Sequence, residues 1–186
     1  MLGDGFEAVL DGARRADEHA FALLYTDLHP ALLRYLRGMA YELAEDAASE
    51  AWLEVARGLD SFRGPEKAFR GWVFAIARRK LIDRVRYETR RPTATWDDLD
   101  AIAPMERDAA DLVVEADSTQ NALALVRTLP RDQAEAVLLR VIGDLEYAEI
   151  AVIMDRTAGA VRVLVHRGLR RLEQLILDRT EGAVTR

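Results

Sequence analysis

Apolar residues recur along this chain at helical spacing, and alternating strand patterns are essentially absent. Phe21, Leu24, Tyr25 and Leu28 fall at i, i+3, i+4 and i+7, one stripe of an amphipathic helix. Ala47, Ala48, Ala51, Trp52, Val55 and Leu59 form a second stripe, and Gly64-Pro65 punctuates the chain after it. A further helix is predicted from about Phe69 to Tyr87, with Val73, Ile76, Ala77 and Leu81 on its apolar face. No internal repeat is visible.

The helical pattern stops at Arg91-Pro92, because proline disfavours helical geometry in the residue before it. Asp97, Asp98, Asp100, Glu106, Asp108, Asp111, Glu115 and Asp117 then crowd a stretch with few large apolar residues. Such composition predicts an acidic flexible linker, with a short helix around Asp108–Glu115 as one option. Helices resume near Ser118. The expected fold class is all-α: two small helical domains joined by this linker. The expected boundaries are a first domain at 1–92, the linker at 93–117, a second domain at 118–180 and a tail at 181–186.

The second domain carries a recognisable local layout. Leu129-Pro130 opens a helix with proline in the first turn, where its missing N–H costs nothing. Ala134, Val137, Leu138 and Val141 give that helix its buried stripe, and Gly143 stops it. Tyr147, Ile150, Ala151 and Met154 mark the next helix, Asp155-Arg156-Thr157 a short turn, and Thr157 an N-cap. The last helix places Val161, Leu164, Val165, Leu169 and Leu172 inward, and Arg162, His166, Arg167, Arg170 and Arg171 outward. Helix, short turn and capped helix with a cationic outer face is a helix-turn-helix, whose second helix suits the major groove. The free N–H groups near Thr157 to Gly159 suit a phosphate.

Charge sharpens this picture. The 186 residues carry a formal net charge of −6, which by itself speaks against a polyanion partner. The average conceals zones. Residues 57–92 hold eleven basic side chains against four acidic, and residues 155–175 hold five against two. Residues 1–56 and 93–121 are strongly acidic. A polyanion responds to the local field, and two basic zones interrupt an otherwise acidic chain.

The absence of cysteine excludes disulfides and thiolate metal sites, and makes the reducing cytoplasm the expected location. No apolar run approaches a membrane-spanning length, so no membrane insertion is expected, and the N-terminus does not read as a secretory signal. His19, His29 and His166 lack the spacing of paired metal ligands. The chain offers no P-loop, Gly-rich dinucleotide turn or nucleophile elbow. No catalysis, no cofactor and no metal are therefore expected.

Between Phe62 and Arg91, aromatics interleave with positive charge: Arg63, Lys67, Phe69, Arg70, Trp72, Phe74, Arg78, Arg79, Lys80, Arg84 and Arg86. Rings that stack on bases beside cations that hold phosphates suit single-stranded nucleic acid. The bland alternative makes core residues of at least two of Phe69, Trp72 and Phe74.

Here the sequence resembles a known family. Ala44-Glu45-Asp46-Ala47-Ala48-Ser49-Glu50-Ala51-Trp52, then Phe69-Arg70-Gly71-Trp72-Val73-Phe74-Ala75-Ile76-Ala77-Arg78-Arg79, with Asp83 and Arg86, is similar to the second conserved domain of bacterial sigma factors. Tyr147-Ala148-Glu149-Ile150-Ala151 through Val161-Arg162 and His166-Arg167 to Arg170-Arg171-Leu172 is similar to their fourth. Two domains in this order, with no third between them, resemble the extracytoplasmic-function group.

The resemblance implies that Asp46, Ser49, Glu50 and Trp52 lie on the surface that docks on the β′ clamp of core RNA polymerase. It implies that Arg63, Lys67, Trp72, Arg78, Arg79, Asp83 and Arg86 lie near the promoter −10 element as it melts. A flipped base would enter a pocket formed partly by the loop Asp60 to Ala68. The second domain would dock on the β flap and read the −35 element with Thr157, Gly159, Arg162, His166, Arg167 and Arg170. An anti-sigma factor is an implied partner, and the acidic linker would pass near the polymerase active-site channel. The chain departs from the family at Ser49, where Gln is usual, at Arg79, where Asn is usual, and at Val163-Leu164, where Ser-Arg is frequent. Groove reading would then rest on Arg162, His166 and Arg167. A stand-alone helix-turn-helix regulator is the rival reading, but such a protein has no need of the Phe62–Arg91 segment. A purely protein-binding adaptor has no use for either basic zone.

Overall fold

The computed structural model describes residues 2–88 and 114–184, and the side chains of 2–88 and 119–178. The described residues form helices, with no strand among them. The first module holds α1 (Phe6–Arg14), α2 (Glu18–Met39), α3 (Ala44–Gly58) and α4 (Glu66–Glu88). The second holds α5 (Val114–Arg127), α6 (Arg131–Val141), α7 (Tyr147–Met154) and α8 (Ala158–Val184).

Local chemistry sets these helices. Asp17 caps α2, its Oδ1 accepting from the backbone N–H of His19 at 2.9 Å and of Ala20 at 3.3 Å. Glu146 and Glu149 form a capping box at the start of α7, with the Glu146 N–H donating to Glu149 Oε2 at 2.7 Å. Asp155 takes the left-handed conformation that ends α7, and the Thr157 hydroxyl accepts from Ala160 N–H at 3.2 Å to start α8, as the sequence predicts. Pro130 is the N-cap of α6 rather than its first helical residue. After α6 the left-handed residue is Asp144, not Gly143.

Two of the three predicted stripes of the first module are its core; of the stripe on α2, Leu24 and Leu28 are buried, Phe21 is half-buried and Tyr25 is exposed. Ala47, Ala48, Ala51, Trp52, Val55 and Leu59 are all buried, as are Val73, Ile76, Ala77 and Leu81. Phe69 and Phe74 are also core, while Trp72 packs half-buried against Phe62 with ring centroids 5.1 Å apart.

Two expectations for the buried stripes of the second module differ from the structure. Val141 is 62 % exposed and Leu169 is 44 % exposed, so neither belongs to a buried stripe. Both instead line an open groove of about 370 Å³, together with Leu123, Val126 and Val137. The inner face of α8 runs through Val161, Val165 and Gly168, and at Gly168 α8 lies close against Val137 and Gln133 of α6. Helix α5 already begins at Val114, inside the stretch assigned to the linker, and α8 continues to Val184, through most of the expected tail. The rest of the linker, from 93 to 113, lies outside the described residues, as does the optional helix start at Asp108.

The modules pack on each other. Helix α2 lies against α5 and α6, and α4 lies against α7. Gly38 permits the first approach: a Cβ there would stand 2.8 Å from Leu138 Cδ1 and 3.3 Å from Leu123 Cδ2. Helix α6 is therefore covered on two sides, by α8 of its own module and α2 of the other, and every residue from Ala134 to Leu139 is buried.

Candidate nucleic-acid interface

The cationic residues of α4 divide into two groups. Arg79 and Arg86 are exposed, as is Asp83 beside them. Arg79 and Lys80 both pair with Glu54 of α3, Lys80 at 2.9 Å, and Arg86 lies 3.7 Å from Asp83. The exposed pair of Arg86 with Asp83 contributes little to stability. Arg63 and Lys67 are exposed on the loop and first turn before α4, with Arg63 donating to the carbonyls of Asp60 and Phe62 at 2.6 Å.

Arg70 and Arg78 belong to the second group and face the other module. Arg70 is 8 % exposed; it donates to the Gly143 carbonyl at 3.3 Å and lies 3.8 Å from Asp27. Arg78 donates from Nε to Glu135 Oε1 at 2.7 Å. The Tyr35 hydroxyl donates to the same oxygen at 3.2 Å. Burial pushes the Glu135 carboxyl above its ordinary range, with the Arg78 guanidinium opposing that shift. Burial likewise pushes the Tyr35 hydroxyl well up, reinforced by Glu135. The resemblance places Arg78 beside opened DNA; in this conformation its guanidinium is committed to Glu135.

The residues assigned to polymerase docking also divide. Asp46, Ser49 and Glu50 share the outer face of α3, where Arg84 of α4 pairs with Asp46 and, at 3.7 Å, with Glu50. Trp52 does not share that surface. It is 5 % exposed, its indole N–H donates to His29 Nδ1 at 3.2 Å, and Phe21 and Tyr25 pack on its ring.

Thr157, the cap of α8, and Gly159, Arg162, His166, Arg167 and Arg170 on α8 are all exposed and lie along one cationic surface. A Cβ at Gly159 would meet nothing within 4 Å, so the first turn of α8 stands open. Arg162 sits over the Tyr147 ring at 5.3 Å, with Arg140 at 5.5 Å from the same ring. Val163 is exposed, whereas Leu164 packs against the core. Among the described residues no cluster of His, Asp and Glu is arranged to hold a metal ion.

Two domain families match in order: Sigma-70 region 2 at residues 24–91 and Sigma-70 region 4 at residues 119–172. The ECF RNA polymerase sigma factor ShbA of Streptomyces griseus is 32 % identical over 183 residues, covering 90 % of this chain and 93 % of ShbA. The chain belongs to the ECF RNA polymerase sigma factors. BldN of Streptomyces coelicolor, another member, is 30 % identical over 172 residues, which cover 91 % of this chain and 65 % of BldN. The chain thus spans just under two thirds of that relative. In fold, this sigma factor is similar to CnrH, solved in complex with the cytosolic domain of CnrY, with a TM-score of 0.64 at 19 % identity over 93 % of this chain and 97 % of CnrH. Sigma factors are DNA-binding factors of transcription initiation, and this one directs RNA polymerase. No described helix of this sigma factor is long and apolar enough to cross a membrane.

Glu135, Tyr35 and Gly38 are the residues that reading the sequence alone misses. Glu135 carried a signal, a lone acid in the run Ala134-Glu135-Ala136-Val137-Leu138-Leu139.

Proposed function

We propose that the chain brings core RNA polymerase to its promoters in the cytoplasm by reading two elements, without catalysing a reaction itself. Helix α8 enters the major groove at the −35 element. Arg162, His166 and Arg167 face base edges there, while Thr157, Gly159 and Arg170 meet the backbone. The first module meets the −10 element as it opens, with Arg63, Lys67, Arg79 and Arg86 holding the displaced backbone and Trp72 beside the bases. Asp46, Ser49 and Glu50 form the part of α3 that docks on the β′ clamp, and the second module docks on the β flap.

The observation that carries this reading is the pairing of regions 2 and 4 in one chain, each with an exposed cationic helix surface. A stand-alone operator-binding regulator has no use for region 2. An anti-sigma factor fits the same scheme as a partner that covers the polymerase-binding surfaces; CnrH was solved with the cytosolic domain of CnrY.

Run-off transcription with purified core polymerase tests the reading. The chain alone is expected to bind promoter duplex poorly, yet to copurify with core enzyme and fix discrete start sites. Tight, salt-sensitive duplex binding with no effect on initiation would favour the stand-alone regulator instead.

A further inference from the structure

Glu135 has no structural reason to be acidic within its own module. It stands in an otherwise apolar stretch of α6, and its partners Tyr35 and Arg78 both come from the first module. It is 0 % exposed, and its second oxygen, Oε2, is buried with no hydrogen-bond partner among the described residues. Apolar residues of matching volume in place of the whole set, Glu135, Arg78 and Tyr35, would close the two modules at least as firmly, because desolvating the charges offsets most of what the ion pair contributes, whereas removing Glu135 alone leaves Arg78 and Tyr35 without their partner. The unpaired Oε2 costs free energy in the closed arrangement that parting the modules recovers.

The surrounding contacts repeat the theme. Arg131, at the start of α6, donates to the Met39 carbonyl at the C-terminal end of α2, 3.3 Å away. Arg70 of α4 donates to the carbonyl of Gly143. Two cations of the basic segment thus meet acceptors from the second module, one of them a carboxylate, where a nucleic-acid phosphate would offer the same chemistry.

The geometry points to an interdomain clasp in which Glu135 occupies Arg78 and shuts the two modules together, so that Arg78 becomes available to DNA only when the modules part. Its inhibitory sense rests on the assignment of Arg78 to the melted strand; the clasp itself does not. Gly38 is the apolar half of the device, since a side chain there would press on the terminal methyls of Leu138 and Leu123.

The full chain lacks cysteine, so a dye pair can be placed at two introduced cysteines, Leu53→Cys (56 % exposed) on α3 and Val152→Cys (83 % exposed) on α7. Glu135→Ala removes the acceptor. Gly38→Leu wedges the apolar side without touching the ion pair. Circular dichroism checks that both variants keep their helices. Wild type is expected to show one short interdye distance. Glu135→Ala is expected to raise the open-to-closed ratio roughly tenfold or more, the effect of a broken pair discounted for the partial exposure of Arg78, and Gly38→Leu to raise it by roughly tenfold through overpacking. Modification of Arg78 by phenylglyoxal, followed by mass spectrometry, should accelerate in step. Folded variants that keep the short distance overturn the clasp. Variants that open without faster Arg78 modification overturn the role of Glu135 in withholding it. Neither readout requires polymerase, so a failure of the sigma-factor assignment would register separately, as wild-type chain that leaves initiation unchanged.

Discussion

The indole N–H of Trp52 donates to Nδ1 of His29 at 3.2 Å, while Tyr25 stacks on the same imidazole with centroids 4.4 Å apart. With Nδ1 accepting, the neutral ring carries its proton on Nε2. Burial holds the His29 pKa below its ordinary value of 6.5; Glu45 opposes the shift and Arg37 adds to it. The folded module therefore prefers the neutral ring, and the unfolded chain takes up the proton first as the pH falls. This contribution to stability is complete above about pH 6.5 and is lost as the pH falls from there through the lowered value. Thermal melts across this range should show Tm falling on the acid side, and His29→Gln should flatten that part of the profile. An unchanged slope in His29→Gln would assign the acid sensitivity to other groups.

Thr157 links the turn of the helix-turn-helix to α8 through one hydrogen bond, from Ala160 N–H to its hydroxyl. Thr157→Ala should cost about 1 kcal/mol of stability in urea unfolding, and Thr157→Asp should restore most of it. If Thr157→Ala unfolds like the wild type, the cap contributes nothing and the first turn of α8 is held by tertiary packing alone.

Helices with one buried face were legible in the sequence, because the 3.6-residue period reports a single apolar stripe. The stripes of α3 and α4 are buried residue for residue. Helix α6 was not legible in the same way. It is covered on two sides, so Glu135, Ala136 and Leu139 are buried off the predicted stripe while Val141 at its end is exposed. The pattern for α8 failed at Leu169 for a related reason: the buried face runs instead through Gly168, which scores as neutral in any stripe and lies against Val137 and Gln133 of α6. Cationic side chains were legible as a zone but not by destination. Composition cannot separate Arg79, exposed and paired with Glu54, from Arg78, committed to a residue 57 positions away. Trp52 shows the converse, a residue matched by motif to a docking surface that its helix turns into the core.

Gly168 sets how closely α8 crosses α6. A Cβ there would lie 2.7 Å from Val137 Cγ2 and 3.3 Å from the Gln133 backbone carbonyl oxygen. The methyl can be removed but the carbonyl cannot move without shifting α6. Gly168→Ala gains about 1 kcal/mol of helix propensity and loses roughly 1–3 kcal/mol to overpacking. Net destabilisation of about 1 kcal/mol is expected in denaturant unfolding. The same substitution in a Val137→Ala background should cost less, and a double-mutant cycle measures the difference. Full additivity would show that Val137 is not the obstacle.

The outward face of α8 makes the sharpest division between binding that reads sequence and binding that does not. Arg162 rests on the Tyr147 ring, which limits how its guanidinium can point, and Arg167 is exposed one turn further along. Arg162→Ala and Arg167→Ala should each weaken use of a matched promoter by about 1–3 kcal/mol and relax preference at one base pair of the −35 element. Arg170→Ala, as a backbone contact, should weaken binding to all sequences alike and lower the salt slope by about 1. None of the three should change affinity for core polymerase measured without DNA, since all three lie on the surface assigned to the groove. Run-off transcription on promoter variants, with salt titrations of the holoenzyme–DNA complex, separates these outcomes. Equal losses on every promoter for Arg162→Ala and Arg167→Ala would reduce α8 to a phosphate-binding helix, and specificity would then have to come from the first module alone.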